Sequence, residues 1–311
     1  MYHSYSNLKK KTRKHRKGAK GTKHRKGMKR RTFKKASCSP SSEKHGFTCL
    51  QDDSLLKLKN LWNARHPDDK ITNESSQEIW QQIKQKMNSL CDTEMCWLKQ
   101  KFVEGKLNRE LSEDFAPEAP KKWVKNPNEW LSSVEIIKVM KQYENKYKCF
   151  EFIGPSPIDY DSHYLDGQCV WEELCHFELE KEIKKGKTKI GIIFNTDPHN
   201  KPGQHWISMF INVKKQKIFF FDSVGDKAPQ EIMNFVKKVQ TQGDAIGKKM
   251  VFDQNHPVEH QYEDGQCGIY SLYFVIHMLE DKANEGEYFK THIIPDKYVE
   301  KFRRIYFNEN A

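Results

Sequence analysis

Four residues in one order carry the chemistry of this chain: His205, Asp222, Gln261 and Cys267. A thiol attacks poorly and a thiolate attacks well. An adjacent imidazolium or a helix N-terminus lowers a thiol pKa from ~8.5 to roughly 3.5–7.5. An imidazole that takes the thiol proton must later give one to the leaving amine. A carboxylate behind it holds the tautomer, and a neutral amide steadies a developing oxyanion. Cys267, His205, Asp222 and Gln261 are read in these four roles, with the Cys267 backbone N–H as a second oxyanion donor. Taken singly they mean little, since a lone His before Trp is most often structural and a lone Cys in an apolar helix is usually a packed thiol. The signal lies in four types arriving in order at the right elements.

Those elements are legible. Residues 206–213 alternate as a strand, with Trp206 and Met209 or Ile207 and Ile211 turned inward. Residues 217–221 read as the next strand, and Lys214-Lys215-Gln216 as a hairpin turn. His205 starts the first strand and Asp222 ends the second, so antiparallel pairing brings them together. Gly265 and Gly268 flank Cys267, and Ile269, Leu272, Tyr273, Ile276 and Leu279 recur at helical spacing behind it. This puts Cys267 in the first turn of a buried helix, where the macrodipole favours an anion.

The joint pattern resembles the cysteine peptidases that process ubiquitin-like proteins, together with adenovirus protease. The resemblance rests on the His205-Trp206 pair, Asp222-Ser223 after an aromatic strand, Gln261 six residues before Cys267, and the run Cys267-Gly268-Ile269-Tyr270. It is closer to the version carried by large nucleocytoplasmic DNA viruses. Phe194-Asn195-Thr196-Asp197-Pro198-His199, Gly203-Gln204-His205-Trp206, Phe221 to Asp226 and Pro229 to Ile232 carry that likeness, as does Phe152 to Asp159 upstream. It covers about residues 148–285. Gln266 departs from the pattern, standing where many relatives carry an acid. It is a second oxyanion candidate, and Gln261 is preferred by spacing. The resemblance implies a papain-like-superfamily fold, cleavage after Gly-Gly or similar small residues, and aromatic walls, including Trp206, that narrow the substrate channel.

Composition sets the bounds. The chain has 311 residues, 36% of them hydrophobic, with seven Trp and eighteen Phe to fill a core. No apolar run approaches the ~20 residues of a membrane span. The first residues lack the apolar stretch of a secretory signal. Net charge is +12, yet residues 1–42 hold sixteen Lys/Arg and no acid, leaving 38 basic and 42 acidic residues beyond them. A nucleic-acid-binding body is therefore not implied. Eight Cys show no tight framework, which argues against a secreted disulfide scaffold and fits a thiol enzyme in a reducing compartment.

Residues 1–46 hold almost no core formers and are expected to be a disordered basic tail. DNA or another polyanion is its expected partner, with a solvated, solubilising tail as the plain alternative. A short helix is expected over 50–64 and a long one over 74–103, capped by Ser75 or Asn73. The region is a docking domain or simply a bundle packed on the enzyme. Cys91 and Cys96 lack further ligands for a metal. Pro117, Pro120 and Pro127, with Trp123 and Trp130, mark a boundary. A helix is expected over 132–147, and a strand from Phe150 stopping at Gly154-Pro155. Residues 171–185 read as one amphipathic helix, and the nearby Cys169, Cys175 and His176 are assigned to packing rather than to ligation. Strands over 189–195 and about Met250–Phe252, a helix over 229–241 and a closing helix over 298–307 complete the reading. His199, in a Pro/Asn/Gly-rich loop, is a rival base read as a surface residue bordering substrate.

The expectation is an α+β cysteine protease with a mixed sheet flanked by helices. Residues 1–46 form the tail, 47–120 a helical accessory region, and 121–311 the catalytic domain. The reaction is peptide hydrolysis through a thioester, with no metal or organic cofactor. The viral resemblance implies maturation of structural polyprotein precursors, in the host cytoplasm and in the virion, with a nuclear location also open. A protease for SUMO- or ubiquitin-like modifiers is the first rival. An inactive protease-fold, nucleic-acid-binding virion protein is the second.

Overall fold

The computed structural model describes residues 32–42, 45–103 and 105–309, and Phe33 onward forms one compact unit. The tail expected over residues 1–46 lies mostly outside the described residues. Where it is described, the expectation of disorder is corrected. Phe33 packs edge-on to Trp80 at 5.8 Å, and Cys38 is bonded to Cys49. The aromatic and sulfur groups in an otherwise basic stretch give residues 33–42 something to bury.

The helical region comprises α1 (Asp52–Arg65), α2 (Ser76–Met87), α3 (Glu94–Leu98) and α4 (Lys106–Ser112). Ser75 caps α2, accepting from the Glu78 N–H. The single helix expected over 74–103 is broken between α2 and α3, where the turn leaves Leu90 exposed and closes the Cys91–Cys96 loop. Leu55, Ile79, Ile83, Trp97 and Phe115 fill a core of their own. Asn308 stitches this region to the end of the chain. Its Nδ2 donates to the carbonyls of Ser37 and Ala116, and its Oδ1 accepts the Ser37 N–H at 2.7 Å.

The rest is a five-stranded mixed sheet between helices. In chain order come α5 (Ser133–Lys146), β1 (Phe150–Pro157), α6 (Glu172–Cys175), α7 (Leu179–Lys184), β2 (Lys189–Asn195), β3 (Trp206–Asn212), β4 (Lys217–Phe221), α8 (Gln230–Ala245), β5 (Val251–Gln254) and α9 (Cys267–Leu279). The strands lie in the order β1-β2-β3-β4-β5, with the outer pairs parallel and the inner pairs antiparallel. Alternation sorts them. Ile193, Phe210, Phe219 and Phe221 join the core shared with α5 and α9, while Ile192, Ile207, Met209, Ile211, Ile218 and Phe220 join the one shared with α8. Both strand faces expected of 206–213 are thus buried, because helices cover both sides.

Three expectations are corrected. β1 continues past Gly154-Pro155, a cis bond, with a register shift between Ile153 and Ser156. The helix expected over 171–185 is two short ones, α6 and α7, on either side of Phe177, which turns into the core. The closing helix is a chain of short turns, including Asp296–Val299 and Arg303–Tyr306. Six cysteines are paired as Cys38–Cys49, Cys91–Cys96 and Cys169–Cys175, each across a short loop, so no bridge staples distant parts of the fold. Cys149 and Cys267 are free thiols. Among the described residues no helix is long and apolar enough to cross a membrane.

Candidate active site

Antiparallel pairing sets the first half of the site. Ser208 of β3 faces Phe221 of β4, so the residues just outside the two strands, His205 and Asp222, emerge at the same sheet end. His205 Nε2 lies 2.6 Å from Asp222 Oδ1. The same oxygen accepts the Val224 N–H at 3.1 Å. Asn255, fully buried after β5, accepts the Asp222 N–H at 2.9 Å and donates to the Asp222 carbonyl at 2.7 Å.

Helix α9 supplies the second half. Cys267 is its first residue and is 4% exposed. Two glycines let it approach. Gly265 has φ +88°, and a Cβ there would lie 2.4 Å from the Asn128 carbonyl oxygen. A Cβ at Gly268 would lie 2.9 Å from Leu131 Cβ. Cys267 is close enough to the His205 ring to act on it electrostatically together with Asp222. Burial opposes a charged ring, but the hydrogen bonds and negative charge of Asp222 and Cys267 prevail, and the His205 pKa is pushed up to about 10. A charged imidazolium beside Cys267 is the setting that activates a cysteine nucleophile.

Gln261 is tied to the residue after Asp222. Its Oε1 accepts the Ser223 hydroxyl proton at 2.8 Å, its backbone N–H donates to the Ser223 carbonyl, and its Nε2 donates to the Glu263 carbonyl at 2.8 Å. Gln266 is held differently. Its Oε1 accepts from Arg303 Nε at 3.0 Å. Arg303 also donates to the Gly265 carbonyl at 2.7 Å and the Glu129 carbonyl at 2.9 Å, with its guanidinium over Trp123. Burial lowers the Arg303 pKa to about 10, so the group stays charged at neutral pH.

Trp206 donates its indole N–H to the Leu131 carbonyl at 3.0 Å and packs beside Gly268. It lines a cleft of about 490 Å³ with Trp130, Leu131, Asn195, His199 and Gln204. His199 is engaged by Asp159, with Nδ1 2.7 Å from Oδ2 and its backbone N–H on Oδ1. It lines the cleft and is paired with Asp159 rather than with Asp222.

The structure therefore brings His205, Asp222 and Cys267 together, anchors Gln261 beside them and places Trp206 on the cleft wall. Sequence reasoning missed Asn255 and Arg303. Asn255 sits in a polar loop with no periodic signal, and Arg303 sits in a stretch whose apolar stripe drew the attention. It also missed that His163, Cys169 and Cys175 converge, with donor atoms within 4.8 Å of one another.

The model of the Ulp1 protease family, C-terminal catalytic domain, matches residues 134–311. A thiol protease of Acanthamoeba polyphaga mimivirus is 28% identical over 293 residues, covering 87% of this chain and 92% of that protein. A cysteine protease of African swine fever virus is 26% identical over 260 residues, covering 76% of this chain and 93% of that protein. The crystal structure of the African swine fever virus protease superposes with a TM-score of 0.65 at 20% identity, covering 90% of this chain and 98% of that one.

Proposed function

We propose, for a chain that belongs to the Ulp1 protease family and is a cysteine peptidase, a specific division of labour in the site. Cys267 attacks the scissile carbonyl as thiolate. His205, as imidazolium, then protonates the leaving amine, and afterwards takes a proton from the water that hydrolyses the thioester. Asp222 holds the His205 ring and favours its charge. Gln261 and the Cys267 N–H steady the oxyanion. The observation that carries this is the 2.6 Å contact of His205 with Asp222, on a ring whose charge Asp222 and Cys267 together favour.

The proposed substrate is a viral structural polyprotein precursor cut after small residues of the Gly-Gly-X type. The relatives in African swine fever virus and mimivirus support the viral setting. Trp206 and Leu131 beside Gly268 support the narrow channel, because a bulky side chain at the cut would meet the indole. Residues 121–311 act as the catalytic domain and the helical region before them as an accessory. The basic residues 1–42 suit an enzyme packaged with a nucleic acid, and DNA is the proposed polyanion.

The test is paired. A thiol-reactive peptide probe ending in Gly-Gly labels the wild type and not Cys267→Ala. A Gly-Gly-X polyprotein fragment is cut faster than a SUMO conjugate. Equal labelling of the alanine variant ends the assignment of Cys267, and faster cleavage of the SUMO conjugate ends the polyprotein reading.

A further inference from the structure

We propose that His163, Cys169, Cys175 and His176 form a zinc-binding site that braces one wall of the cleft that Trp206 lines. The local fold builds the set. After β1 the chain turns back on itself, and His163 and Cys169 face each other across an antiparallel bridge. The turn between them is closed by Tyr164 N–H on the Gln168 carbonyl at 2.8 Å, with Gly167 at φ +85°. The single turn of α6 then brings Cys175 to His163 and Cys169, and His176 to Cys169 and Glu172. The spacing is regular: five residues separate His163 from Cys169, and five separate Cys169 from Cys175.

Two donor distances, both to Cys169, match those around a tetrahedral ion. Zinc binds sulfur at about 2.3 Å and imidazole nitrogen at about 2.0–2.1 Å, so adjacent S and N donors stand about 3.6 Å apart. Here His163 Nε2 lies 3.5 Å from Cys169 Sγ, and His176 Nε2 lies 3.8 Å from the same sulfur. Cys175 shares a common 4.8 Å neighbourhood with His163 and Cys169. Glu172 is the outer carboxylate. Its Oε1 accepts the Cys169 N–H at 3.0 Å and its Oε2 lies 3.1 Å from His176 Nε2. The first contact orients the backbone that carries Cys169; the second is on the nitrogen that zinc takes, and gives way to it. Two thiolates with two imidazoles select zinc among the abundant divalent ions.

Cys169 and Cys175 are joined as a disulfide in the structure, and a sulfur cannot serve both purposes. A dithiol reductant opens the S–S bond, leaving two thiols and an oxidised, cyclic dithiol. Zinc then displaces the two thiol protons. The site matters to the enzyme because Tyr164, Val170 and Trp171, all within this loop, line the same cleft as Trp206.

The experiment uses the full chain as Cys267→Ala, so that the thiol at the head of α9 contributes nothing, reduced with a dithiol and dialysed against zinc. Plasma emission gives the zinc per chain, and cobalt(II) substitution gives the thiolate charge-transfer band. One zinc per chain is expected, unchanged in Cys38→Ser and Cys91→Ser and lost in Cys169→Ser and Cys175→Ser. Glu172→Ala, which leaves all four ligands in place and removes the acceptor of the Cys169 N–H, is expected to weaken binding about 10–100-fold. Far-ultraviolet circular dichroism separates loss of metal from loss of fold. Absence of zinc from the reduced, folded chain overturns the proposal, as does undiminished zinc in folded Cys169→Ser.

Discussion

Asn255 grips the backbone of Asp222 from both sides, accepting its N–H at 2.9 Å and donating to its carbonyl at 2.7 Å. The carboxylate is therefore aimed by a rigid main chain. In Asn255→Ala both buried backbone groups lose their partner, at a cost of about 1–3 kcal/mol each at most. Denaturant unfolding is expected to show the loss, and an unchanged midpoint would sink it. Asn255→Asp keeps the acceptor and loses the donor, so it should fall between.

The raised pKa of His205 fixes the alkaline behaviour. Its folded value, about 10, lies above the ordinary 6.5. The charged ring thus contributes stability that is complete below about 6.5 and lost as pH rises through about 10. Turnover is expected to decline on the same alkaline limb. In Asp222→Asn that limb moves to lower pH and kcat falls by about 10²–10⁴. Superimposable pH–rate profiles for the two proteins would refute the role of Asp222.

The two glutamines should separate cleanly. Gln261→Ala is expected to lower kcat by about 10²–10³ with little change in KM, the mark of a lost oxyanion donor. Gln266→Ala instead leaves Arg303 Nε buried without its acceptor, so its main effect is on stability. Steady-state kinetics beside thermal melts of both variants decide it, and the reverse result would reassign the amide.

Arg303 spans three acceptors, the carbonyls of Gly265 and Glu129 and the side chain of Gln266. Lysine keeps the charge without the planar fork. Arg303→Lys is expected to loosen the turn that presents Cys267 and to lower kcat about 10²-fold through misplacement. A wild-type kcat in a correctly folded Arg303→Lys would remove Arg303 from the argument.

His260 predicts the acid side. It is buried and neutral, receiving the Ile294 N–H at 3.2 Å on Nδ1 and placing Nε2 3.0 Å from the Phe289 carbonyl. Burial pushes its pKa down to about 4. The unfolded chain takes up that proton first, so the stability tied to His260 is complete above about 6.5 and lost as pH falls toward 4. Melting temperature against pH should slope across this window in the wild type and less so in His260→Gln.

What could be read from the sequence followed the range of the interaction. The hairpin of β3 and β4 and the start of α9 are local patterns, so His205, Asp222 and Cys267 could be placed on their elements from spacing alone. Both faces of β3 proved to be core because helices cover the sheet twice, which alternation in one strand cannot reveal. Asn255 and Arg303 act through single long-range hydrogen bonds and leave no period to detect. His163 went unnoticed because its partners come to it through a turn and a bridge, while Cys175 and His176 were absorbed into a helix that in fact breaks at Phe177.

The bond between Ser37 and Asn308 joins residues 271 positions apart. During synthesis on a ribosome, the early helices must wait for this partner until the whole sheet and α9 have been made. Their seam to the rest of the molecule is the last to close, so an unfinished chain lacks the brace that a released one has.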